Sequence, residues 1–232
     1  MSILQRRVCS ALAVAALGAV GTAPVRAEEQ PTTRNRGELY LKVSTGVGLS
    51  RDSDLKIRQG AGTRLTFSDV RWEDNSLSGP SARYVSVRIG YFLKSKPWLG
   101  VAGEFLHFKI FGEVDRVARV RGTNEGVPID ALLPISDIVQ RYEVTNGVNF
   151  LPVSFIARYR GRRGEKFPDG RVRPYGGVGV GPTLLYTRST VNGSIRSGPY
   201  EWGNPGFMAI AGLELMASRH WDVFTEYKFT YT

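Results

Sequence analysis

Apolar and polar side chains alternate without a break in Val85-Ser86-Val87-Arg88-Ile89-Gly90-Tyr91. A β-strand turns successive side chains to opposite faces, so this stretch separates its aliphatic and aromatic residues from its polar ones. A water-soluble sheet would bury the apolar face in a core. A strand that crosses a membrane would turn the same face toward lipid and its polar face toward an interior.

The pattern of 81–93 recurs along the chain in stretches of about ten residues, the length that a tilted membrane strand needs. We predict seven strands, at 38–50, 81–93, 98–112, 148–160, 171–186, 206–218 and 221–231. The connections between them alternate between long (51–80, 113–147 and 187–205) and short (94–97, 161–170 and 219–220). Short periplasmic turns and long external loops are typical of outer-membrane barrels, so we predict an all-β, antiparallel, up-and-down transmembrane β-barrel over residues 38–232.

The number of predicted strands is odd, whereas bacterial barrels have an even number. An open strand edge within hydrocarbon would leave backbone groups without hydrogen bonds, at a cost of several kcal/mol each. We therefore expect eight strands, with seven present in this chain and the last one missing after Thr232. A membrane strand at 63–72 would make the count even, but it would put the following strands in the wrong direction.

The first 27 residues have the features of a cleaved secretory signal peptide. Arg6 and Arg7 precede an apolar run at 11–20, and Val25-Arg26-Ala27 offers a cleavage site. Residues 28–37 would then form a short periplasmic lead. Cleavage would remove Cys9, the only cysteine, and the mature chain would have neither a disulfide nor a cysteine-ligated metal site.

Strand alternation directs seven charged residues toward the interior of the predicted barrel. They are Lys42, Arg88, Glu104, Arg158, Glu214, Glu226 and Lys228. The interior of an eight-stranded barrel is just wide enough for side chains to fill, and buried charges need partners. We therefore predict a charge network that plugs the lumen, which argues against a diffusion pore. A catalytic or ion-conducting cluster remains the alternative interpretation of the same residues.

Three arginines in the second long connection, Arg116, Arg119 and Arg121, are candidate contacts for lipid phosphates. A solvated basic loop is the competing interpretation. The net charge of +10 does not lead us to expect nucleic acid, because basic and aromatic residues do not interleave along a groove. The only histidines are His107 and His220, and neither belongs to a hydrolase or metal motif, so we assign no catalytic residue, metal or cofactor.

Several motifs resemble the small eight-stranded outer-membrane barrels of the outer-membrane protein A type, and most closely the lipid A oxidase-like outer-membrane proteins. The motifs are Thr66-Phe67-Ser68-Asp69-Val70-Arg71-Trp72-Glu73-Asp74, the segment 98–107, Asn146-Gly147-Val148-Asn149-Phe150-Leu151, Pro174-Tyr175-Gly176-Gly177-Val178-Gly179 and Phe224-Thr225-Glu226-Tyr227-Lys228-Phe229-Thr230-Tyr231. The resemblance implies the outer membrane of a Gram-negative bacterium. For some members it also implies oxygen-dependent oxidation of the proximal glucosamine of lipid A.

Two functions remain open from the sequence. One is a barrel that engages lipid A or lipopolysaccharide and, if it is an enzyme, acts as an oxygen-dependent lipid A oxidase. The other is a non-enzymatic structural or adhesive surface barrel. In both cases the expected partners are outer-membrane lipids, the barrel-assembly machinery and periplasmic chaperones, and we expect a monomer.

Overall fold

The computed structural model of the protein describes residues 12–21, 37–73, 84–161, 167 and 169–232, and this part of the chain is mainly antiparallel β-structure. Its strands are β1 (Leu12–Gly21), β2 (Glu38–Leu49), β3 (Ser53–Gln59), β4 (Thr63–Val70), β5 (Trp72–Glu73), β6 (Tyr84–Phe92), β7 (Leu99–Gly112), β8 (Val117–Asn124), β9 (Val127–Pro134), β10 (Val139–Phe150), β11 (Val153–Arg158), β12 (Val172–Gly181), β13 (Thr183–Val191), β14 (Ser194–Ser197), β15 (Glu201–Trp202), β16 (Gly206–Met216) and β17 (Trp221–Tyr231). One turn of 3₁₀ helix spans Ile135–Asp137. Among these residues, no helix has the length and apolar character needed to cross a membrane.

Eight strands pair in a closed cycle, which we call the ring. Its order is β1, β2, β6, β7, β11, β12, β16 and β17, and β17 pairs with β1 again. All eight pairings are antiparallel. The ring contains the core of each predicted strand, but the predicted strands 148–160 and 171–186 are each divided, and their residues 148–150 and 183–186 belong to β10 and β13 outside the ring.

Three strands continue beyond the ring and form what we call the extension. The second half of β7, residues 106–111, pairs with β10. β10 also pairs with β13, and β14 lies at the edge of the same sheet. Pro152 separates β10 from β11 and Pro182 separates β12 from β13. Backbone hydrogen bonding between the strands nevertheless continues past both prolines. The carbonyl of Pro152 accepts a hydrogen bond from the N–H of Glu104, and the carbonyl of Pro182 accepts one from the N–H of Leu151.

A separate four-stranded sheet, the outer sheet, has the order β3-β4-β8-β9. One face of it is apolar and buried, and it belongs to the same hydrophobic cluster as the extension. The cluster includes Leu55, Ile57, Leu65, Phe67 and Val120 from the outer sheet, and Ile138, Val139, Tyr142, Val144 and Val191 from the extension and the segment before it. Phe67 and Val120 are fully buried. The same cluster includes ring residues such as Phe92, Ile156 and Met208, so the core of the outer sheet and the extension is continuous with the interior of the ring.

Two tight turns shape this outer part. Glu125 and Gly126 both have positive φ between β8 and β9, and so do Asn192 and Gly193 between β13 and β14. Positive φ at both central residues is the geometry of a type I′ hairpin turn, which Asn-Gly favours.

The structure corrects the prediction of eight strands with seven present, because the described residues contain seventeen. Much of the predicted long loops at 51–80, 113–147 and 187–205 is strand, and the two prolines each divide one long strand in two. The segment 63–72 is not part of the ring, since β4 pairs with β3 and β8.

The ring also includes β1, whose residues lie within the predicted signal peptide. β1 pairs with β17 along its whole length and with β2 over residues 13–17, at the position that the sequence left for a missing eighth strand. The sequence of this segment contains neither proline nor charge, which permits such pairing. The remainder of 1–36 lies outside the described residues, so cleavage after Ala27 stays a prediction.

Candidate functional site: the charges inside the ring

The interior of the ring holds two groups of ion pairs. We call the first the Arg88 cluster, which consists of Arg88, Glu104, Glu226 and Lys228. The second, the Arg158 cluster, consists of Glu38, Lys42, Arg158, Arg173, Glu214 and Asp222. All seven charged residues that the sequence placed in the interior are buried there, with exposures between 0% for Lys228 and 5% for Lys42 and Glu104.

The Arg88 cluster is built on cross-strand register. Arg88 on β6 lies directly opposite Glu104 on β7, while Glu226 and Lys228 are alternate residues of β17. The guanidinium donates to Glu104 Oε2 from Nε and Nη2 at 2.9 and 2.8 Å. It also donates to Glu226 at 2.6 Å from Nη1 and 3.0 Å from Nη2. Arg88 thus binds two carboxylates at once through its planar fork.

Lys228 completes this cluster from the other side. Its Nζ donates to the Tyr84 hydroxyl at 2.8 Å and to Ser86 Oγ at 3.1 Å, and it forms a short ion pair with Glu104. Glu226 lies 3.0 Å from the same Nζ and also accepts from the Tyr175 hydroxyl at 2.8 Å. A fully buried ammonium is stable only with such a set of partners, because desolvation of an unpaired charge is costly.

The Arg158 cluster lies toward the short turns of the ring. Arg158 donates to both carboxylate oxygens of Glu38, at 2.8 and 2.6 Å. Arg173 lies opposite Glu214 in the register of β12 and β16, with Nε 3.1 Å from its Oε2. Lys42 pairs with Glu214, and its Nζ lies 4.3 Å from the centre of the Tyr175 ring, a cation–π contact.

The charged residues predicted for the interior did not include Glu38, Arg173 and Asp222. Each has the parity of an interior residue on its own strand, so the alternation could have identified them. With them included, the two clusters contain five basic and five acidic residues, whereas the predicted set had four and three. The complete set is balanced in formal charge, and all of its members except Glu38, whose side chain is 40% exposed, are buried.

Interior glycines provide the space for the tyrosine rings between these charges. Gly212 lies opposite Tyr175 in the strand register, and a Cβ there would come within 2.3 Å of the ring carbon Cζ. Gly90 has the same relation to Tyr40, at 2.4 Å. Side chains therefore fill the interior at these levels, which favours a packed structural role over a reactive cleft.

The three arginines proposed for lipid phosphates lie outside the ring and are exposed. Arg116 donates to Glu113 at 3.3 Å, and Arg119 and Arg121 both contact Asp130 Oδ1, at 2.9 and 3.4 Å. Each guanidinium thus has an acidic neighbour but keeps about half of its side-chain surface exposed, between 49% and 59%. The structure does not bring them into contact with the interior charges.

His107 lies on the same face of β7 as Phe105 and is half-buried at the boundary between the ring and the extension. Its Nδ1 lies 2.8 Å from Asn149 Oδ1, and its imidazole packs on Gly147. The packing of β10 across the outer half of β7 explains this burial.

Within the described part of the chain, no three His, Cys, Asp or Glu side chains are grouped so that they could hold a metal ion. The sequence matches no protein-family model, and no curated protein matches it.

Proposed function

We propose that the chain is an integral outer-membrane β-barrel protein, plugged by its own interior charges, that engages lipid A or lipopolysaccharide at its outer rim. In this proposal the ring strands β2, β6, β7, β11, β12, β16 and β17 span the membrane, and the place that β1 occupies belongs to the eighth strand expected from the sequence. The outer sheet and the extension lie on the cell surface.

One observation carries the proposal: the ring has an apolar outside and a charged inside. Its outward side chains are large and apolar, and each is at least 37% exposed: Leu39, Leu41, Val43, Val85, Val87, Ile89, Val101, Phe105, Val153, Phe155, Val178, Val180, Phe207, Leu213, Leu215, Val223, Tyr227 and Phe229. Monomeric soluble proteins rarely expose so extensive an apolar surface. A hydrocarbon environment accounts for it, and charges on the inner face then avoid lipid.

Aromatic side chains support the same proposal. Trp98, Tyr91, Tyr159 and Trp221 are exposed near the short turns, and Tyr231 is exposed at the opposite end of its strand. Membrane barrels carry aromatic girdles at both interfaces, where the rings contact headgroups.

Cell fractionation tests the location. We expect the protein in the outer-membrane fraction, with an electrophoretic mobility that changes on heating, and with Glu28 as its first residue after signal cleavage. Recovery in the soluble fraction would contradict the proposal. An N-terminus that retains residues 12–21 would contradict the cleavage alone and would favour β1 as a permanent member of the ring.

The proposed lipid contact uses Arg116, Arg119 and Arg121, which follow the outer end of β7 within a few residues. Arginine forms bidentate hydrogen bonds with phosphate, and lipid A carries phosphate groups. Asp130 competes for two of these guanidiniums. It is therefore the residue that adjusts how strongly the proposed contact binds.

We expect Asp130→Asn to tighten binding to phosphate-rich lipid vesicles by about two- to fivefold, because it frees Arg119 and Arg121. The hydrogen bond from Arg119 lowers the pKa of Asp130. The carboxylate therefore holds both arginines at neutral pH and releases them only as the pH falls through this lowered pKa. Vesicle sedimentation should show that the unmodified protein binds more tightly as the pH falls through this range. Binding of Asp130→Asn should not increase over the same range. Equal pH profiles would contradict this role of Asp130.

Oxidation of lipid A is the enzymatic form of the proposal, and it rests on the resemblance in the sequence. Mass spectrometry of lipid A from cells with and without the gene tests it. We expect an aminogluconate unit only where the gene is present, and unmodified glucosamine in both strains would overturn the enzymatic form.

A structural or adhesive surface barrel is the second candidate. The packed core shared by the outer sheet and the extension favours it, because an ordered module presents a defined surface. A deletion strain with normal attachment and normal envelope integrity would contradict it.

A further inference from the structure

The solvent face of the outer sheet carries five basic residues on three adjacent strands. They are Lys56 and Arg58 on β3, Arg64 on β4, and Arg119 and Arg121 on β8, and all five are exposed. We call this set the basic face. It is the reverse side of the sheet whose other face packs Leu55, Ile57, Leu65, Phe67 and Val120 into the core.

The strand register arranges these residues in rows across the sheet. Arg58 lies opposite Arg64, which lies opposite Thr123. In the adjacent row, Lys56 lies opposite Thr66, and Thr66 lies opposite Arg121. Neighbouring strands are about 4.8 Å apart, and residues two apart on a strand are separated by about 7 Å. Arg58 and Arg64 are therefore about 5 Å apart, Lys56 and Arg58 about 7 Å, and Lys56 and Arg121, two strands apart, about 10 Å.

The pairing of Arg58 with Arg64 is unfavourable for the fold itself. Like charges that lie directly opposite each other destabilise an antiparallel pair. Among the described residues, no acidic side chain is within ion-pair distance of Lys56, Arg58 or Arg64. Arg119 and Arg121, in contrast, share Asp130. The repulsion between Arg58 and Arg64 would be relieved by an anionic ligand that binds across both strands.

The position of these residues indicates where that ligand comes from. β3 begins just after the end of β2, at the outer end of the ring, and extends to the turn at 60–62. Arg58 and Arg64 flank that turn, so they lie at the end of the sheet that is farther from the ring. A ligand there approaches from the surrounding solution rather than from the lipid around the ring.

We propose that the basic face binds a linear acidic polysaccharide outside the cell, through its carboxylate or sulfate groups. Such a polymer repeats its anions at the scale of a sugar unit and can lie flat across β3, β4 and β8. The hydroxyls of Thr66 and Thr123 lie between the cations and can hydrogen-bond to sugar hydroxyls. The register rows contain no aromatic side chain on which nucleic-acid bases could stack, which favours a saccharide. The basic face shares Arg119 and Arg121 with the proposed lipid contact but not Lys56, Arg58 and Arg64, and its placement outside the cell rests on the proposed function.

The test measures binding of the full chain, in zwitterionic detergent, to immobilised polygalacturonate, with uncharged dextran as the reference polymer. We expect binding to polygalacturonate alone, weakening as salt is added. The double variant Arg58→Ser, Arg64→Ser should lose about tenfold in affinity. The matched control, Lys94→Ser, Lys96→Ser, removes the same charge from the exposed turn before β7 and should bind unchanged.

Equal losses of affinity in both double variants would mean that net charge alone drives binding. That result would overturn the proposal that the basic face is the binding site. Stronger binding to deacylated lipopolysaccharide than to polygalacturonate would overturn the choice of polymer. Circular dichroism of each variant distinguishes a lost site from a lost fold. This assay contains no membrane. Polysaccharide binding would therefore be measured in the same way even if the protein did not bind lipid A.

Discussion

Replacing Glu104 with glutamine is expected to destabilise the protein by about 3 to 5 kcal/mol. Glu104 is the shared acidic partner of Arg88 and Lys228, and all three side chains are almost completely buried. The glutamine amide would keep the shape of the side chain but lose its charge. Lys228 would then depend on Glu226, which already binds Arg88 through both oxygens.

Urea unfolding in detergent micelles or lipid vesicles, followed by tryptophan fluorescence, measures this loss. Glu125→Gln serves as the matched control, because Glu125 is exposed in the turn between β8 and β9. Surface substitutions of this kind change stability by no more than about 0.5 kcal/mol. A loss at Glu104 no larger than that at Glu125 would show that the interior charges are hydrated rather than buried as a plug.

The double variant Glu104→Gln, Lys228→Met separates pairing from packing. Removing both partners eliminates the uncompensated ammonium, and replacing a complete buried ion pair with apolar groups is often neutral. We therefore expect Lys228→Met to restore part of the stability lost in the single variant. Strict additivity of the two substitutions would contradict a direct interaction between Glu104 and Lys228.

The ring strands could be predicted from the sequence because each carries its own period-two pattern. Alternation of Val85 through Tyr91 separates the two faces of β6 without reference to any other strand. The same local rule placed Arg88, Glu104 and Lys228 in the interior. Whether Arg88 would contact Glu226 as well as Glu104 could not be predicted, because that contact depends on which strands meet across the ring.

The outer sheet could not be predicted for a related reason. β4 and β8 come from two different connections and are separated in the chain by two ring strands, β6 and β7. No local pattern specifies such a pairing. The Asn192-Gly193 pair was a usable signal, since Asn-Gly between two strands favours a tight hairpin. It would have divided the third long connection into β13 and β14.

Replacing Ile89 with arginine is the second substitution with a large expected effect, a loss of about 2 to 4 kcal/mol in lipid vesicles. Ile89 lies in the middle of β6, between Leu41 on β2 and Gly103 on β7, and its side chain is 56% exposed. If the ring spans a membrane, this surface contacts hydrocarbon near the midplane, where a guanidinium has no partner. Unfolding in phosphatidylcholine vesicles should therefore require less denaturant for the variant.

Ile195→Arg is the matched control, because Ile195 on β14 is 78% exposed outside the ring. The same exchange there places the guanidinium in water, where we expect a change of no more than about 0.5 kcal/mol. A water-soluble protein would tolerate both substitutions equally, since both isoleucines are more than half exposed. The difference between the two variants thus separates a ring surrounded by lipid from a ring surrounded by water, and equal stabilities would remove the main argument for a membrane-spanning barrel.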